Sequence, residues 1–148
     1  MQNQDLTADQ TRDLRALAGF IIPPSAAYGV PGADDDKVFG DILNSLERDR
    51  DDVCRALAHL AALAGGAFAD LDEAGRTEVA ARFRQAGGSP LAALVRVVLL
   101  CYYRDDRVMR SLCQEPRPPF PGGHVVEQGD WSLLDPVRKR PPMYRLVE

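Results

Sequence analysis

Along roughly the first three quarters of the chain, apolar residues recur every three to four positions, and that period predicts helices. Thr7 followed three residues later by Gln10 forms a capping-box pattern, and Leu14, Leu17, Ala18, Ile21 and Ile22 then mark one helical face that ends at Pro23-Pro24. A loop rich in Pro, Gly and Ser, with Tyr28 and Val30 inside it, leads to Asp34, Asp35 and Asp36. Acidic side chains suit the positive end of a helix dipole, so a second helix is expected there, burying Val38, Phe39, Ile42, Leu43 and Leu46. Asp51 and Asp52 open a third, whose stripe of Val53, Ala56, Leu57, Leu60, Ala61, Leu63 and Ala64 closes at Gly65-Gly66. Its alanines permit close helix packing. Leu71 and Asp72 read as staple and N-cap of a fourth helix through Val79, Ala80 and Phe83, with Gly75 weakening it and Gly87-Gly88 stopping it. Ser89 as N-cap with Pro90 behind it starts a fifth, Leu91 to Arg104, apolar on nearly every side and therefore expected to be the most buried. After a break at Arg104-Asp-Asp-Arg107, Val108, Met109 and Leu112 predict one more short helix.

From Cys113 onward the pattern changes. Prolines at 116, 118, 119, 121, 136, 141 and 142 fix φ and remove backbone donors, which excludes helix or interior strand over most of this stretch. Yet Phe120, Val125, Val126, Trp131, Leu133, Leu134, Met143 and Tyr144 are too apolar for a solvated linker. A short β pairing within residues 123–128 is weakly signalled. The segment needs a surface to lie on, and it is longer than the helical body can cover. The expected architecture is all-α: a compact bundle of about five to six helices over residues 1–112 and an extended, partner-wrapping arm over 113–148.

Composition narrows the function. The 148 residues, 45% hydrophobic, allow one globular core. Eighteen basic against 22 acidic residues give a net charge of −4 with the signs interleaved, so nucleic acid is not expected as a partner. The run Leu91 to Tyr103 carries Arg96 and is too short to span a bilayer, and the N-terminus shows no export signal. Three cysteines without a CxxC pair, Cys54, Cys101 and Cys113, fit reduced thiols in the cytoplasm. Cys54 and Cys101 read as small buried hydrophobes.

Catalytic patterns are absent from the sequence. Neither GxGxxG nor GxxxxGK[ST] nor GxSxG occurs, and there are only two histidines. His59 lies on the third helix outside its apolar stripe; His124 lies in the arm, where it is placed to make an interface hydrogen bond or to approach a partner's active site. Cys113 with His124 lacks the paired spacing of a zinc site, and the aspartate run lacks the alternating ligands and terminal Glu of an EF-hand. No catalytic, cofactor or metal residues are expected in this chain. Asp105, Asp106 and Arg107, beside Tyr102 and Tyr103, are either a capped helix junction or an anchor for the arm.

Several of these pieces resemble the gluconate 2-dehydrogenase subunit 3 family, the small subunit of flavin-dependent alcohol and sugar dehydrogenases. They are Leu14-x-x-Leu17-Ala18-x-x-Ile21-Ile22-Pro23, Pro31-Gly32-Ala33 at the opening of a helix, an apolar helix ending in Tyr102-Tyr103 with Asp105 beyond, and Gly129-Asp130-Trp131 in the tail. The resemblance implies a non-catalytic helical subunit wrapping a large flavoprotein of the glucose-methanol-choline type, which holds FAD and the catalytic base. The twin-arginine export signal of many relatives is missing, which implies a cytoplasmic complex, and Pro119-Phe-Pro-Gly-Gly123 replaces the usual Tyr-Gly-Gly-Asn. The expected partner contacts are aromatic anchors at Phe120, Trp131 and Tyr144 and charged contacts at Arg107, Arg117 and Arg138. Tyr102, Tyr103, His124, Leu133 and Leu134 complete the set. A free-standing module that forms a homodimer by exchanging arms remains the alternative; a small hydrolase using His124 is a third reading.

Overall fold

Local caps decide where the helices begin. The first, α1 (Ala8–Ile21), starts at the reciprocal capping box: Gln10 N–H donates to Thr7 Oγ1 at 3.1 Å and Thr7 N–H donates to Gln10 Oε1 at 3.0 Å. Asp35 caps α2 (Asp36–Asn44) by accepting from Lys37 N–H at 3.1 Å and Val38 N–H at 3.4 Å. A 3-10 turn, Glu47–Asp49, feeds α3 (Arg50–Ala64), which Gly65 closes. Asp72 accepts from Gly75 N–H at 2.8 Å and opens α4 (Glu73–Ala86). Then come α5 (Ser89–Tyr103) and α6 (Asp106–Ser111), the latter capped by Asp105 through Arg107 N–H at 2.9 Å. The computed structural model describes residues 6–118, 120–123, 127–141 and 143. Among them all regular structure is helical, and the chain divides into two compact units, Met1–Pro116 and Arg117–Glu148.

The core of the first unit is built on α3, which packs against α1, α4 and α5, while α5 also meets α2 and α6. Leu14, Ile42, Leu46, Val53, Leu57, Leu60, Leu94 and Val98 are fully enclosed. Each such side chain contributes about 1.5–3 kcal/mol by leaving water. Ala18 on α1 and Ala56 on α3 are buried, where a small side chain allows close helix packing, and Ala33 is buried in the loop before α2.

One expectation is corrected here, and one core residue is added. The N-cap of α5 is Gly88, not Ser89: the helical ladder begins at the Gly88 carbonyl, which accepts from Ala92 N–H at 3.1 Å, so Ser89 is already the first helical residue. As expected, α5 carries more buried residues than any other described helix, though one side of it is open. Ala93, Leu94, Val97, Val98, Cys101 and Tyr102 are buried, whereas Leu99, Leu100 and Tyr103 face solvent. Phe68, absent from the expected core, is wholly buried on a 3-10 turn, Phe68–Asp70, between α3 and α4. That turn is fixed from a distance: buried Asp13 on α1 accepts from Ala69 N–H at 2.9 Å, and Arg76 lies over the Phe68 ring while donating to the Ala69 carbonyl at 2.5 Å.

The second unit forms more regular structure than its prolines imply. Asp130 caps a 3-10 turn, Trp131–Leu134, which runs into α7 (Asp135–Arg138), with Pro136 in the first turn, where its missing N–H costs no hydrogen bond. None of its described residues is buried. The weakly signalled pairing at 123–128 falls largely outside the described residues.

Candidate interaction surfaces

At the junction of α2 and α6, two N-cap carboxylates converge on one guanidinium. Arg107 donates from Nη2 to Asp35 Oδ1 at 2.6 Å and from Nε to Asp105 Oδ1 at 2.9 Å, and Lys37 Nζ stands 3.4 Å from Asp105 Oδ2. Hydrogen bonds from Arg107 outweigh the burial of Asp105 and hold its carboxyl down at about 2. The same guanidinium lowers Asp35, and the two carboxylates, Asp35 first, push Arg107 well above its ordinary range. At neutral pH both acids are ionised and saturated with donors. The cluster therefore acts as a clasp between helices, and the proton needed for acid–base chemistry is not available from it. A second clasp lies nearby, where Arg104 binds both oxygens of Asp41 at 2.5 and 2.6 Å and is held protonated by that carboxylate.

Between α1 and α2 the chain makes a pinned loop. Ala33 N–H donates to the Ile22 carbonyl at 2.9 Å at its base, and Ser25 and Val30 exchange both backbone hydrogen bonds, at 3.0 and 3.1 Å. Buried Tyr102 donates its hydroxyl to the Pro31 carbonyl at 3.2 Å, and burial raises its pKa. Below the loop the Asp34 side chain lies against Gly19 and Gly32; a Cβ on Gly19 would come 2.8 Å from Asp34 Cγ, and one on Gly32 would meet Asp34 Oδ1 and the Pro24 nitrogen. Hydrogen bonds thus join the end of α1, the segment Pro31 to Ala33 and the end of α5.

Tyr102 is a core residue that straps this loop, and Arg107 is engaged within the body; of the expected contact residues here, Tyr103 is the one that stands in solvent. Its ring meets Tyr102 edge-on at 5.3 Å. An apolar groove of about 500 Å³ runs between α1, α4 and α5, lined by Phe20, Ile21, Ala80, Ala81, Leu91 and Val95 among others. His59 is exposed and stacks edge-on with Phe83 at 5.7 Å. Burial raises the thiols of Cys54 and Cys101, so both stay protonated, whereas Cys113 is exposed. Among the described residues no three His, Cys, Asp or Glu side chains stand close enough to hold a metal ion, and no single helix is long and apolar enough to cross a membrane.

In the second unit Phe120, Trp131, Leu133, Leu134, Val137 and Met143 are all exposed, Trp131 at 61%. Asp130 accepts from Ser132 N–H at 3.0 Å and Ser132 Oγ at 2.7 Å, which lowers its pKa, and Arg138 pairs with Asp135 at 3.3 Å. Arg117 is exposed, its guanidinium beside Gly122. His124 and Tyr144 lie outside the described residues. Two groups escaped the sequence reading: Asp13, buried and silent in any local pattern, and the Tyr28 loop, whose prolines marked a break without revealing its pinning. Compared with known proteins, the chain matches no family model, no curated protein and no solved structure.

Proposed function

We propose that this chain is the non-catalytic small subunit of a cytoplasmic, hetero-oligomeric oxidoreductase acting on an alcohol or sugar hydroxyl, with FAD held by a large partner of the glucose-methanol-choline type. The observation that carries the reading is the series of exposed large apolar residues from Phe120 to Met143 on a unit none of whose described residues is buried. Such side chains gain about 25 cal/mol per Å² when a partner covers them, and Trp and Tyr dominate binding where they do. Two further features are compatible with it. Asp35 and Asp105, both lowered by Arg107, serve as helix caps and ion pairs, and within the first unit the Ile22–Ala33 and Tyr102–Pro31 hydrogen bonds join three of the four segments that resemble the gluconate 2-dehydrogenase subunit 3 family.

Co-expression with a large flavoprotein of the glucose-methanol-choline type from the same genome tests the reading. The expected outcome is co-purification in equal amounts, with removal of residues after Cys113 abolishing both solubility and dehydrogenase activity. A stable lone monomer, together with a flavoprotein that stays fully active beside the truncated chain, overturns it. Self-association of the purified chain, lost on the same truncation, favours the arm-exchanged homodimer instead.

A further inference from the structure

Helices α1, α4 and α5 all pack against α3, and between them they leave the apolar groove of about 500 Å³. Buried Leu17 and Phe83 form its floor, and Phe20 forms a wall, held edge-on against enclosed Phe68 at 6.2 Å. The groove is short. Its lining takes about one turn of α1, Leu17 to Ile21, one of α5, Leu91 to Val95, and on α4 the length from Thr77 to Arg84, about 10 Å. A partner helix, commonly three turns long, would overrun it, whereas ligand pockets of about 300–1,000 Å³ enclose single small molecules.

Among the described residues, Thr77 and Arg84 are the polar side chains that line the groove. The Thr77 hydroxyl donates to the Glu73 carbonyl at 2.8 Å within its own helix, which leaves Arg84 as the donor without an acceptor. Every other described Arg or Lys side chain of the first unit has a partner; Arg84 has none among the described residues. No described acid lines the groove, and the first turn of α5, which supplies Leu91, carries none either. An uncompensated guanidinium beside an apolar groove calls for an anion joined to an apolar body. One cation matches one negative charge, and its flat fork matches a carboxylate; a phosphate monoester, at about −2, would stay half neutralised. We propose that this groove binds a medium-chain organic carboxylate of the fatty-acid class, with its acid on Arg84 and its chain along Leu17, Phe20 and Phe83. The site is independent of the small-subunit reading.

Calorimetric titration of the purified full chain with decanoate, kept below its micelle concentration, tests the site beside decanol and acetate. Saturable binding of one decanoate per chain is expected, with decanol weaker by about tenfold or more and acetate undetectable. Arg84→Gln should bring decanoate down to the affinity of decanol and leave decanol unchanged. Ala80→Phe, which fills the groove, should abolish both at unchanged circular dichroism. Decanoate that fails to saturate, that binds no better than decanol, or that Arg84→Gln leaves unaffected overturns the site. So does a chain that ignores decanoate but self-associates, with the association lost in Ala80→Phe, since the occupant is then a second copy.

Discussion

Three helical elements of this protein begin with an aspartate that accepts from the backbone N–H two residues on: Asp35, Asp105 and Asp130. In the first unit the two caps are joined by Arg107, which reaches 72 residues along the chain, and both helices bury apolar side chains. In the second unit the Asp130 carboxylate accepts from nearby Ser132, its hydrogen-bond partners among the described residues are all within three residues, and the turn and helix it starts bury nothing. The same local chemistry thus produces a cap in both places. Whether that cap belongs to a fold depends on the tertiary contact behind it, since an isolated turn of helix does not offset its own ordering entropy.

The contrast breaks most visibly at the core. Phe68→Ala should cost about 3–5 kcal/mol, because a fully enclosed ring leaves a cavity that its neighbours fill only in part; urea unfolding of the purified chain measures it. Arg107→Ala should cost about 2–3 kcal/mol, less than a fully buried ion pair because part of the guanidinium faces water, and it leaves Asp105 enclosed with Lys37 as its remaining cation. Arg107→Lys should recover only part of that loss, since an ammonium cannot bridge both carboxylates in the same fork.

Acid sharpens the comparison. Asp105 sits at about 2 when folded, below the ordinary aspartate value of about 3.9, so its contribution is complete above pH 4 and is lost as pH falls from about 4 through 2. Asp105 should account for about 1–2 kcal/mol of the fall across that window, so the fall in unfolding titrations should be smaller by that much in Asp105→Asn, leaving the share of Asp35. Smaller still is Tyr102→Phe, about 1 kcal/mol for one hydrogen bond to a carbonyl left without its donor. Trp131→Ala should change the unfolding of the lone chain by less than about 0.5 kcal/mol, while weakening the proposed complex with a flavoprotein at least tenfold. A Trp131 variant as damaging to the lone chain as Phe68→Ala would show that the two units are not so different.

Much of the helical body was legible because its signals are local. Thr7 with Gln10, Asp72 before Glu73 and Gly65 after Ala64 each announce a helix end within a few residues. The missed features depend on distance. Nothing near Phe68 has a helical period, and its burial depends on Asp13 reaching Ala69 from 56 residues earlier. Arg107 looked available for a partner because its acceptor Asp35 is remote in sequence, and Tyr102 looked exposed because both faces of α5 are apolar, so periodicity could not choose the buried one. In the tail, counting prolines obscured that Pro136 occupies a position where a helix tolerates it.

The pocket that Gly19 and Gly32 leave around Asp34 also constrains how this chain can drift. An alanine at Gly19 would meet only the exposed Asp34 side chain, which can rotate into solvent, whereas one at Gly32 would also press on the Pro24 ring and its backbone nitrogen. The two glycines should therefore differ in how readily they can be replaced, Gly32 being the less forgiving.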